Sequence, residues 1–418
     1  MEIKKNKLYF GKYCAEDLLK KFGCPLYVYE EEIIRCQIKK LKNCINYNSL
    51  KLYYACKANT NLAIMKIMLE EGCCIDTVSC GEVYAALKAG FKAEQILYTG
   101  NNVTDDEFRW LIEREILVNI GSLSELARYG RINQEIGSKA KTNKICVRIN
   151  SDAGAGFHDH VITSGVDCKF GIYYKYIDEI IAKANQYKLK IIGIHHHIGS
   201  GILDVETFLY SMNVLLKYAV KFKELEFVDF GGGFGVPYNH EKKLNIDVLG
   251  MKIKQVFEKF CVKYGKELSL FFEPGRYLVA EAGVLLCRVN TLNKTPKYEF
   301  VGVDTGFNHL VRVVMYGSYH EIINASNLDD TKKKYIVGGN ICESGDIFTM
   351  DSKGLKLREI SNIKEGDVLA ILTAGAYGMS MASNYNMRVL PAEVLINRED
   401  AKLIRRRQSF DDLLKEQI

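Results

Sequence analysis

The chain has 418 residues, of which 48% are hydrophobic and 26% are charged, and no segment is of low complexity, so a long disordered protein is excluded. Its net charge of +6 is a mild excess, and the run Arg405–Arg407 is too short to form a basic stripe, so we expect no nucleic-acid partner. No apolar stretch approaches the ~18 residues of a membrane span, and the first residues lack the apolar core of a secretory signal. Together with 13 irregularly spaced cysteines, which favour reduced thiols, these features predict a cytoplasmic protein with no membrane partner.

Short β-rich segments alternate with helical segments between residues 51 and 276. Several of them are continuous apolar runs, which are typical of parallel strands buried on both faces. In chain order they are KLYYACKAN, CIDTVS, ILYTG, LVNIGS, KICVRIN, KIIGIHHHIGS, FVDFGGGFG and LSLFFEPGR. One helical segment begins at Ser79, with Glu82 three residues later as in a capping box, and ends at Gly90. Eight such βα units predict an α/β fold with a closed TIM (β/α)8 barrel rather than a doubly wound open sheet.

After about Gly283 the pattern changes to β-rich segments without long helices between them. The strand candidates there are VLLCRVNTLN, YEFVGVD, KYIVGGNICESGDIF, DVLAILTAGAY and RVLPAEVLIN. They predict a C-terminal all-β domain, either a Greek-key barrel or a sandwich. We therefore expect the barrel at residues 26–283 and the β domain at residues 284–418, joined by residues 1–25.

Lys57 stands at the end of the first barrel strand, in YYACKAN. Active-site residues of such barrels lie where strands end. A lysine among apolar residues is costly to bury unless it is paired or used in catalysis, and its amine is suited to covalent bonding with a carbonyl. A lysine that merely reaches solvent at the barrel rim is the alternative.

Two further strands end in candidate binding residues, the seventh in a run of glycines and the eighth in two charged residues. The seventh ends in DFGGGFG, where Gly231, Gly232 and Gly233 would let backbone N–H groups surround a phosphate, although a tight turn explains them equally well. This segment lacks the spacing of a dinucleotide-binding or nucleoside-triphosphate loop. The eighth ends in FEPGR, where Glu273 and Arg276 could face the same barrel mouth or form a surface ion pair.

Three adjacent histidines, in GIHHHIGSG, suggest a metal site. Because side chains alternate along a strand, His195 and His197 would point to one side and His196 to the other. Two histidines need a third ligand, and no HExxH or comparable spacing supplies one, so we expect no metal. The GSG that follows offers the hydroxyl of Ser200 to a phosphate. A lysine, glycine loops, a carboxylate and an arginine at one mouth form a set that is suited to pyridoxal 5′-phosphate.

The chain resembles the fold-type III pyridoxal-phosphate-dependent decarboxylases over nearly its whole length, from PLYVYE to PAEVLI. The resemblance lies in the set YYACKAN, HHHIGSG, GGGFGVPY, EPGR, CESGD and GAYGMSMASNYN. It implies a barrel plus a C-terminal β domain, a homodimer with active sites shared between the subunits, and a small-molecule amino-acid substrate. The implied reaction is the decarboxylation of meso-2,6-diaminopimelate to L-lysine and CO2.

The resemblance also implies roles for individual residues. Lys57 would bind the aldehyde of the cofactor, His197 would stack on its ring, and Glu273 would pair with the ring nitrogen. The implied phosphate contacts are Ser200, Gly231, Gly232, Gly233 and the turn from Glu273 to Gly275. The remaining implied contacts to cofactor and substrate are Arg276, Arg312, Tyr316 and Tyr377, the arginines and Tyr316 binding the substrate carboxylate. Cys342 and Glu343 would come from the neighbouring subunit, Cys342 as a proton donor and Glu343 as the partner of the distal ammonium group.

Three alternatives stay open. The first is decarboxylation of another basic amino acid or polyamine precursor, such as ornithine, arginine or carboxynorspermidine. The second is a barrel enzyme that uses Lys57 without a cofactor, as an aldolase does, and the third is a non-catalytic relative. The chain also departs from the family pattern at DTGFN, Asp304–Asn308, and its loop GAGFHDHVITSGVDCKFGI, residues 154–172, could alter the fit of the substrate.

Overall fold

The computed structural model describes residues 1–140, 142–152, 165–329, 331–398 and 400–418. The chain forms two compact units. The sheet unit contains Met1–Cys36, Pro237–Glu241 and Leu278–Ile418, and the barrel unit contains Gln37–Val236 and Lys242–Tyr277. The observed division therefore differs from the expected boundaries at residues 26 and 283, since residues 26–36 and 278–283 belong to the sheet unit.

The chain begins with a small antiparallel sheet. Its strands are β1 (Glu2–Lys4), β2 (Lys7–Phe10) and β3 (Tyr13–Cys14). Next come α1 (Ala15–Phe22), β4 (Leu26–Glu30) and α2 (Glu31–Ile45). The first turn of α1 carries Glu16 and Asp17, and its last turn carries Lys20 and Lys21. These charges stabilise the helix because each has the sign opposite to that of the nearby end of the helix dipole.

The barrel unit contains all eight predicted strands and one short extra strand. They are β5 (Leu50–Ala55), β6 (Cys74–Thr77), β7 (Ile96–Tyr98), β8 (Leu117–Ile120), β9 (Lys144–Asn150), β10 (Ile172–Tyr173), β11 (Lys190–His195), β12 (Phe227–Asp229) and β13 (Ser269–Phe272). Eight of these strands pair in parallel in the order β9-β11-β12-β13-β5-β6-β7-β8, and the pairing of β8 with β9 closes the ring. The predicted TIM-like barrel is thus confirmed. Among the strands that the structure describes, β10 pairs only with β9.

Helices follow the barrel strands along the chain. They are α3 (Leu62–Glu70), α4 (Cys80–Ala89), α5 (Asp105–Glu113), α6 (Leu123–Ile136), α7 (Ile177–Gln186), α8 (Val205–Ala219) and α9 (Ile246–Tyr264). The expected start and stop of α4 are observed, because the Ser79 side chain accepts from the Glu82 N–H and Gly90 adopts a left-handed conformation. The capping box is incomplete, because the Glu82 carboxylate accepts from the N–H of Val78 at 2.8 Å instead of that of Ser79.

The inside of the barrel is built in layers. One layer is a cluster of buried apolar side chains from six strands: Tyr53, Leu97, Cys146, Ile192, Phe227 and Phe271. Since side chains alternate along a strand, the residues two positions further on point to the same side. Those positions include Thr99, Arg148, Asp229 and Glu273, all of them buried. A polar layer therefore lies above the apolar one, toward the carboxyl ends of the strands, where barrel enzymes carry out their chemistry.

The chain continues through α10 (Arg276–Val279) into a large mixed sheet. Its further elements are β14 (Gly283–Lys294), β15 (Glu299–Val303), α11 (Arg312–Tyr316), β16 (Ile322–Asn324), β17 (Lys332–Gly338), β18 (Met350–Asp351), β19 (Gly354–Leu355), β20 (Arg358–Ser361), β21 (Val368–Ile371), β22 (Ala392–Ile396), β23 (Ala401–Arg405) and α12 (Phe410–Leu414). The sheet order is β20-β17-β15-β14-β4-β22-β23, with β21 pairing to both β14 and β16. β4 lies between β14 and β22, and for this reason residues 26–30 belong to the sheet unit and not to the barrel.

Within the described part of the chain, no helix is both long enough and apolar enough to cross a membrane. All 13 cysteines are free thiols.

Candidate active site

Lys57 lies directly after β5, in a single turn of 3-10 helix at Cys56–Ala58. Its Nζ is 3.5 Å from Oδ2 of Asp76, a fully buried carboxyl group on β6. Burial, followed by the charge of Glu273, raises the pKa of Asp76 to about 7, and the positive charge of Lys57 opposes this rise. The structure thus gives the lysine an acidic neighbour that the sequence analysis did not identify.

Glu273 follows β13 and is only 4% exposed. Its Oε2 lies 3.1 Å from Nε2 of His195, while its buried Oε1 makes no hydrogen bond to a described residue. Burial raises the pKa of Glu273, and the charges of Lys57 and Arg148 lower it. Burial also lowers the pKa of His195 well below its usual value, so a neutral imidazole that donates from Nε2 is the consistent assignment.

His197 lies just beyond the end of β11, and its Nδ1 accepts the N–H of Gly232 at 3.0 Å. This hydrogen bond fixes the tautomer, because the proton of the neutral ring must then be on Nε2. Burial and the charge of Lys57 lower the pKa of His197 well below its usual value. His196 has a different environment: it is buried, with Nδ1 3.2 Å from the Ser151 hydroxyl and its ring against Phe230.

The glycine loop after β12 closely approaches its neighbours. Gly231 and Gly233 have φ of 64° and 102°, which residues with a side chain rarely adopt. A Cβ on Gly231 would lie 2.6 Å from the carbonyl oxygen of His196, and one on Gly232 would lie 2.4 Å from that of Glu273. The loop can therefore pack against both of these segments only as glycine.

We expect Gly232→Ala to weaken phosphate binding, because its φ is ordinary and the added methyl group acts only by colliding with the Glu273 carbonyl. Displacing that backbone should reduce affinity for pyridoxal phosphate about 10-fold or more, since inserting a methyl group into a packed site costs roughly 1–3 kcal/mol. The measurement is a titration of the cofactor by its visible absorbance. Gly81→Ala on α4 is the matched control, because its Cβ would meet only Ser79 Oγ at 3.7 Å. Equal affinities in the two variants would contradict the prediction.

Ser200 and Arg276 meet at the same side of the barrel unit. The Nε of Arg276 donates to Oγ of Ser200 at 3.2 Å, and Arg276 is only 6% exposed. Gly275 also packs closely, since a Cβ there would be 3.0 Å from the carbonyl oxygen of Ala55. A hydroxyl group beside a buried guanidinium is a suitable environment for a dianionic phosphate.

One cavity of about 430 Å³ joins several of these groups. Its lining residues are Lys57, Val78, Thr99, Asn101, Asn102, Arg148, Lys169, Phe170, His195, His197 and Glu273. The cavity lies within the size range of small-molecule sites and combines an amine, an acid and aromatic rings.

Three charged residues of the polar layer were missed by sequence reasoning: Asp76, Arg148 and Asp229. Asp76 and Asp229 are fully buried, and Arg148 is 9% exposed, with its guanidinium carbon 4.7 Å from the centre of the Phe170 ring. Each is a charged residue near the end of an otherwise apolar strand. That signal singled out Lys57, and applied to every strand it would have found these residues too.

The sequence argument against a metal assumed that no third ligand is available near the histidines. That assumption is wrong, because one ligand atom each of His195, Asp229 and Glu273 lies within 4.8 Å of the others. The imidazole and both carboxyl groups also make hydrogen bonds within the protein. Glu273 Oε2 lies 3.1 Å from His195 Nε2, and Asp229 Oδ1 accepts the N–H of Gly231 at 2.8 Å. The absence of a metal stays a prediction.

Two expected substrate residues, Arg312 and Tyr316, lie on α11 of the sheet unit. Arg312 is 1% exposed, with Nη1 2.9 Å from Nε2 of His320 and Nη2 donating to Ser318 at 3.3 Å. Its guanidinium carbon lies 4.5 Å from the centre of the Tyr238 ring. The buried position holds the guanidinium in one orientation, as a residue that recognises a carboxylate requires.

Cys342 and Glu343 are exposed residues of a well-anchored loop in the sheet unit. The Cys342 N–H donates to Oδ1 of Asn386 at 2.7 Å, and Glu343 accepts from the hydroxyl of Tyr385 at 3.3 Å. The carboxylate of Asp346 anchors the loop by accepting hydrogen bonds from the backbone N–H groups of Phe307 and Ile341, each at 2.7 Å. The thiol and the carboxylate are thus presented outward from a fixed backbone.

Tyr377 is half-buried in the sheet unit and has a φ of 56°, an uncommon conformation for a tyrosine. Gly375, two residues earlier, packs closely against the backbone, since a Cβ there would lie 1.9 Å from the carbonyl oxygen of Val279. Residues 154–164, most of the loop expected to influence substrate fit, lie outside the described residues.

The barrel site fits pyridoxal phosphate on three independent points. Lys57 supplies an amine at the cavity for the aldehyde. The buried Oε1 of Glu273, which makes no hydrogen bond to a described residue, supplies an acceptor for a protonated ring nitrogen. The Ser200 hydroxyl beside the buried Arg276 guanidinium supplies donors for the phosphate. Barrel fold and site together define a pyridoxal-phosphate-binding enzyme.

Comparison with known proteins agrees with this class. The family model described as "Pyridoxal-dependent decarboxylase, pyridoxal binding domain" matches residues 31–280. The diaminopimelate decarboxylase of Methanothermobacter thermautotrophicus is 44% identical over 99% of this chain and 96% of its own length. The crystal structure of diaminopimelate decarboxylase from M. jannaschii superposes with a TM-score of 0.91 at 34% identity, covering 100% of this chain and 97% of that one. The chain belongs to the pyridoxal-dependent decarboxylases and, within them, to the diaminopimelate decarboxylase family.

Proposed function

We propose that this protein decarboxylates meso-2,6-diaminopimelate to L-lysine and CO2, the last step of lysine biosynthesis, with pyridoxal phosphate as cofactor. The observation that carries the chemistry is the cavity in which Lys57, His197 and the buried Glu273 face one another. The substrate is supported by the relatives, among them the M. jannaschii enzyme solved in complex with L-lysine, with a TM-score of 0.90 and 34% identity.

The chemistry requires that the carbanion left by loss of CO2 be stabilised. Bound pyridoxal phosphate supplies an electron sink for that carbanion. Glu273 would keep the ring nitrogen protonated, because an adjacent anion favours the cationic form. His197, held by its hydrogen bond to Gly232, would lie against the ring and exclude water from one face. Ser200, Gly231, Gly232, Gly233, Gly275 and Arg276 would hold the phosphate.

The far end of meso-diaminopimelate is itself an amino acid, with a carboxylate and an ammonium group. Arg276 and Arg312 suit the carboxylate because a guanidinium binds it with two parallel hydrogen bonds. Tyr316 and Tyr377 would complete the contacts to substrate and cofactor. Glu343 suits the ammonium group, and this combination of charges argues against a substrate with a purely cationic tail such as ornithine.

We propose further that the enzyme is a homodimer whose active sites combine both subunits. Cys342, the proposed proton donor, and Glu343 are exposed on their own chain, whereas a group that delivers a proton to a carbanion must be screened from water. A partner subunit that covers this loop would resolve the conflict. Thirteen unpaired thiols support a reducing compartment, so we place the enzyme in the cytoplasm.

A substrate panel tests the proposed reaction. Purified protein is supplied with pyridoxal phosphate and offered meso-diaminopimelate, ornithine, arginine and carboxynorspermidine, with CO2 release and visible absorbance recorded in parallel. We expect diaminopimelate to be turned over fastest, with a margin of about 10²-fold or more because its distal charges would otherwise be left unpaired. Faster release from another substrate would contradict the assignment, and protein without cofactor absorbance would favour an aldolase-like use of Lys57.

The shared active site is tested by mixing two inactive variants. Each subunit of a Lys57→Ala and Cys342→Ala heterodimer lacks one group, so one of the two shared sites keeps both. Random exchange between equal amounts should restore about a quarter of the wild-type activity, because half of the dimers are then mixed. A mixture of Lys57→Ala with Lys57→Arg is the control and should regain none. No regain in the first mixture would argue that each site is built from one chain.

A further inference from the structure

The polar layer of the barrel has more acids than cations. Among its described residues, Asp76, Asp229 and Glu273 are acids, and Lys57 and Arg148 are the cations. His195 adds no charge because its imidazole is neutral. All three acids are at most 4% exposed, and unbalanced charge in such an interior is very unfavourable. One of the three acids should therefore be neutral.

The neighbours of each acid indicate which one it is. Asp76 lies 3.5 Å from the Lys57 ammonium group, so its anion is compensated. Glu273 receives a hydrogen bond from His195, and both Lys57 and Arg148 favour its ionised form. These two acids are thus the ones that the cations stabilise.

Asp229 lacks comparable support. Its Oδ1 accepts the N–H of Gly231 at 2.8 Å, and its Oδ2 makes no hydrogen bond to a described residue. Among the described residues, the titratable side chains around it are the acids Glu273 and Asp76, the neutral imidazole of His195, and Tyr53 and Cys146, whose pKa values are raised well above normal by burial. Burial and the charge of Glu273 raise the pKa of Asp229 well above its usual value, and the Gly231 N–H opposes this less strongly.

We infer that Asp229 is an un-ionised acid that directs its Oδ2 proton toward Glu273 and thereby leaves the negative charge on Glu273. Asp229 is then a positioning residue, because Oδ1 holds the glycine loop at Gly231 while Oδ2 supports the acid that faces the cofactor nitrogen. An oxygen of each carboxyl group lies within 4.8 Å of the other, with His195 Nε2 as the second donor to Glu273. The effect of Asp229 on the cofactor nitrogen rests on the proposed function, whereas the protonation state of Asp229 does not.

Infrared spectroscopy of the full-length protein tests the protonation state directly. A neutral buried acid gives a carbonyl stretch that a carboxylate lacks. We expect this band in the wild type at neutral pH and the loss of one acid's contribution to it in both Asp229→Asn and Asp229→Ala. Asp76, whose pKa is about 7, accounts for a part that remains in all of these proteins. The control Asp178→Asn removes an acid that is 82% exposed and should leave the band in place. Persistence of the whole band in Asp229→Asn would overturn the inference, whether or not the protein proves to be a decarboxylase.

The cofactor provides a second readout that a merely structural role would not change. Replacing one neutral group by another should leave the pH midpoint of the visible absorbance within about 0.3 units in Asp229→Asn, whereas Glu273→Gln removes a charge and should shift it by about one unit or more. Asp229→Ala leaves the Gly231 N–H without an acceptor and should weaken cofactor affinity about 10-fold relative to Asp229→Asn. Equal midpoint shifts in Asp229→Asn and Glu273→Gln would contradict the inference. So would a stoichiometric metal in the purified protein that Asp229→Asn removes.

Discussion

Lys57→Ala is expected to lower kcat by roughly 10³-fold or more and to abolish the visible absorbance of bound cofactor, because the amine that binds the aldehyde is gone. Lys57 occupies the one turn that follows β5, directly at the cavity, with Asp76 beside its amine. Activity against diaminopimelate and a spectrum of the dialysed protein measure the two effects. Full activity in this variant would refute the whole scheme.

The chain offers a matched control for this experiment. Lys169 lines the same cavity, but it is exposed and its Nζ lies 5.1 Å from the centre of the Phe170 ring. Lys169→Ala should keep the cofactor absorbance, since Lys169 forms no ion pair with a buried acid among the described residues. Loss of the absorbance in Lys169→Ala and its retention in Lys57→Ala would reassign the covalent bond.

Glu273→Gln is expected to lower kcat by about 10²- to 10³-fold, as removal of a preorganised electrostatic group does in other enzymes. An amide has nearly the shape of the carboxylate but cannot hold a proton on the ring nitrogen at neutral pH. We expect KM to change much less than kcat, because the Glu273 carboxylate would stabilise the transition state more than the bound substrate. Steady-state kinetics at several pH values provide the measurement.

Two further variants bracket the Glu273 result. Glu273→Asp retains the charge and should recover part of the activity. Glu226→Gln is the control, since Glu226 precedes β12 at the opposite end of the strand and pairs with Lys144 on the surface at 2.7 Å. Surface changes of that kind usually alter stability by no more than about 0.5 kcal/mol. A kcat in Glu273→Gln equal to that of Glu226→Gln would remove Glu273 from the mechanism.

The barrel could be predicted because its strands are marked locally. A segment such as IIGI, residues 191–194 of β11, is apolar on both faces, and only a parallel strand covered on both sides requires that pattern. The boundary at residue 26 could not be predicted, because LYVYE is equally suited to either unit. Its hydrogen-bond partners are β14 and β22, which lie about 250 to 370 residues later in the chain, and strand partner choice at that distance leaves no local trace.

The site residues also fall into two groups, those that local sequence could identify and those whose role depends on the tertiary structure. Lys57 and Glu273 are unusual for their positions, so single residues drew attention to them. Asp76 and Asp229 gave the same signal, but their importance depends on how many other charges share the barrel interior. That number is a property of the closed ring of strands and of no single segment.

By itself the sequence determined the class of fold and the kinds of side chain at the strand ends, because the apolar runs and the charged residues that interrupt them are local features. Only the tertiary structure decided which groups are neighbours. It placed the Glu273 carboxyl group against His195 and brought Asp229 into the same buried layer. The protonation of each group follows from that proximity, since burial and charge act through space and not along the chain.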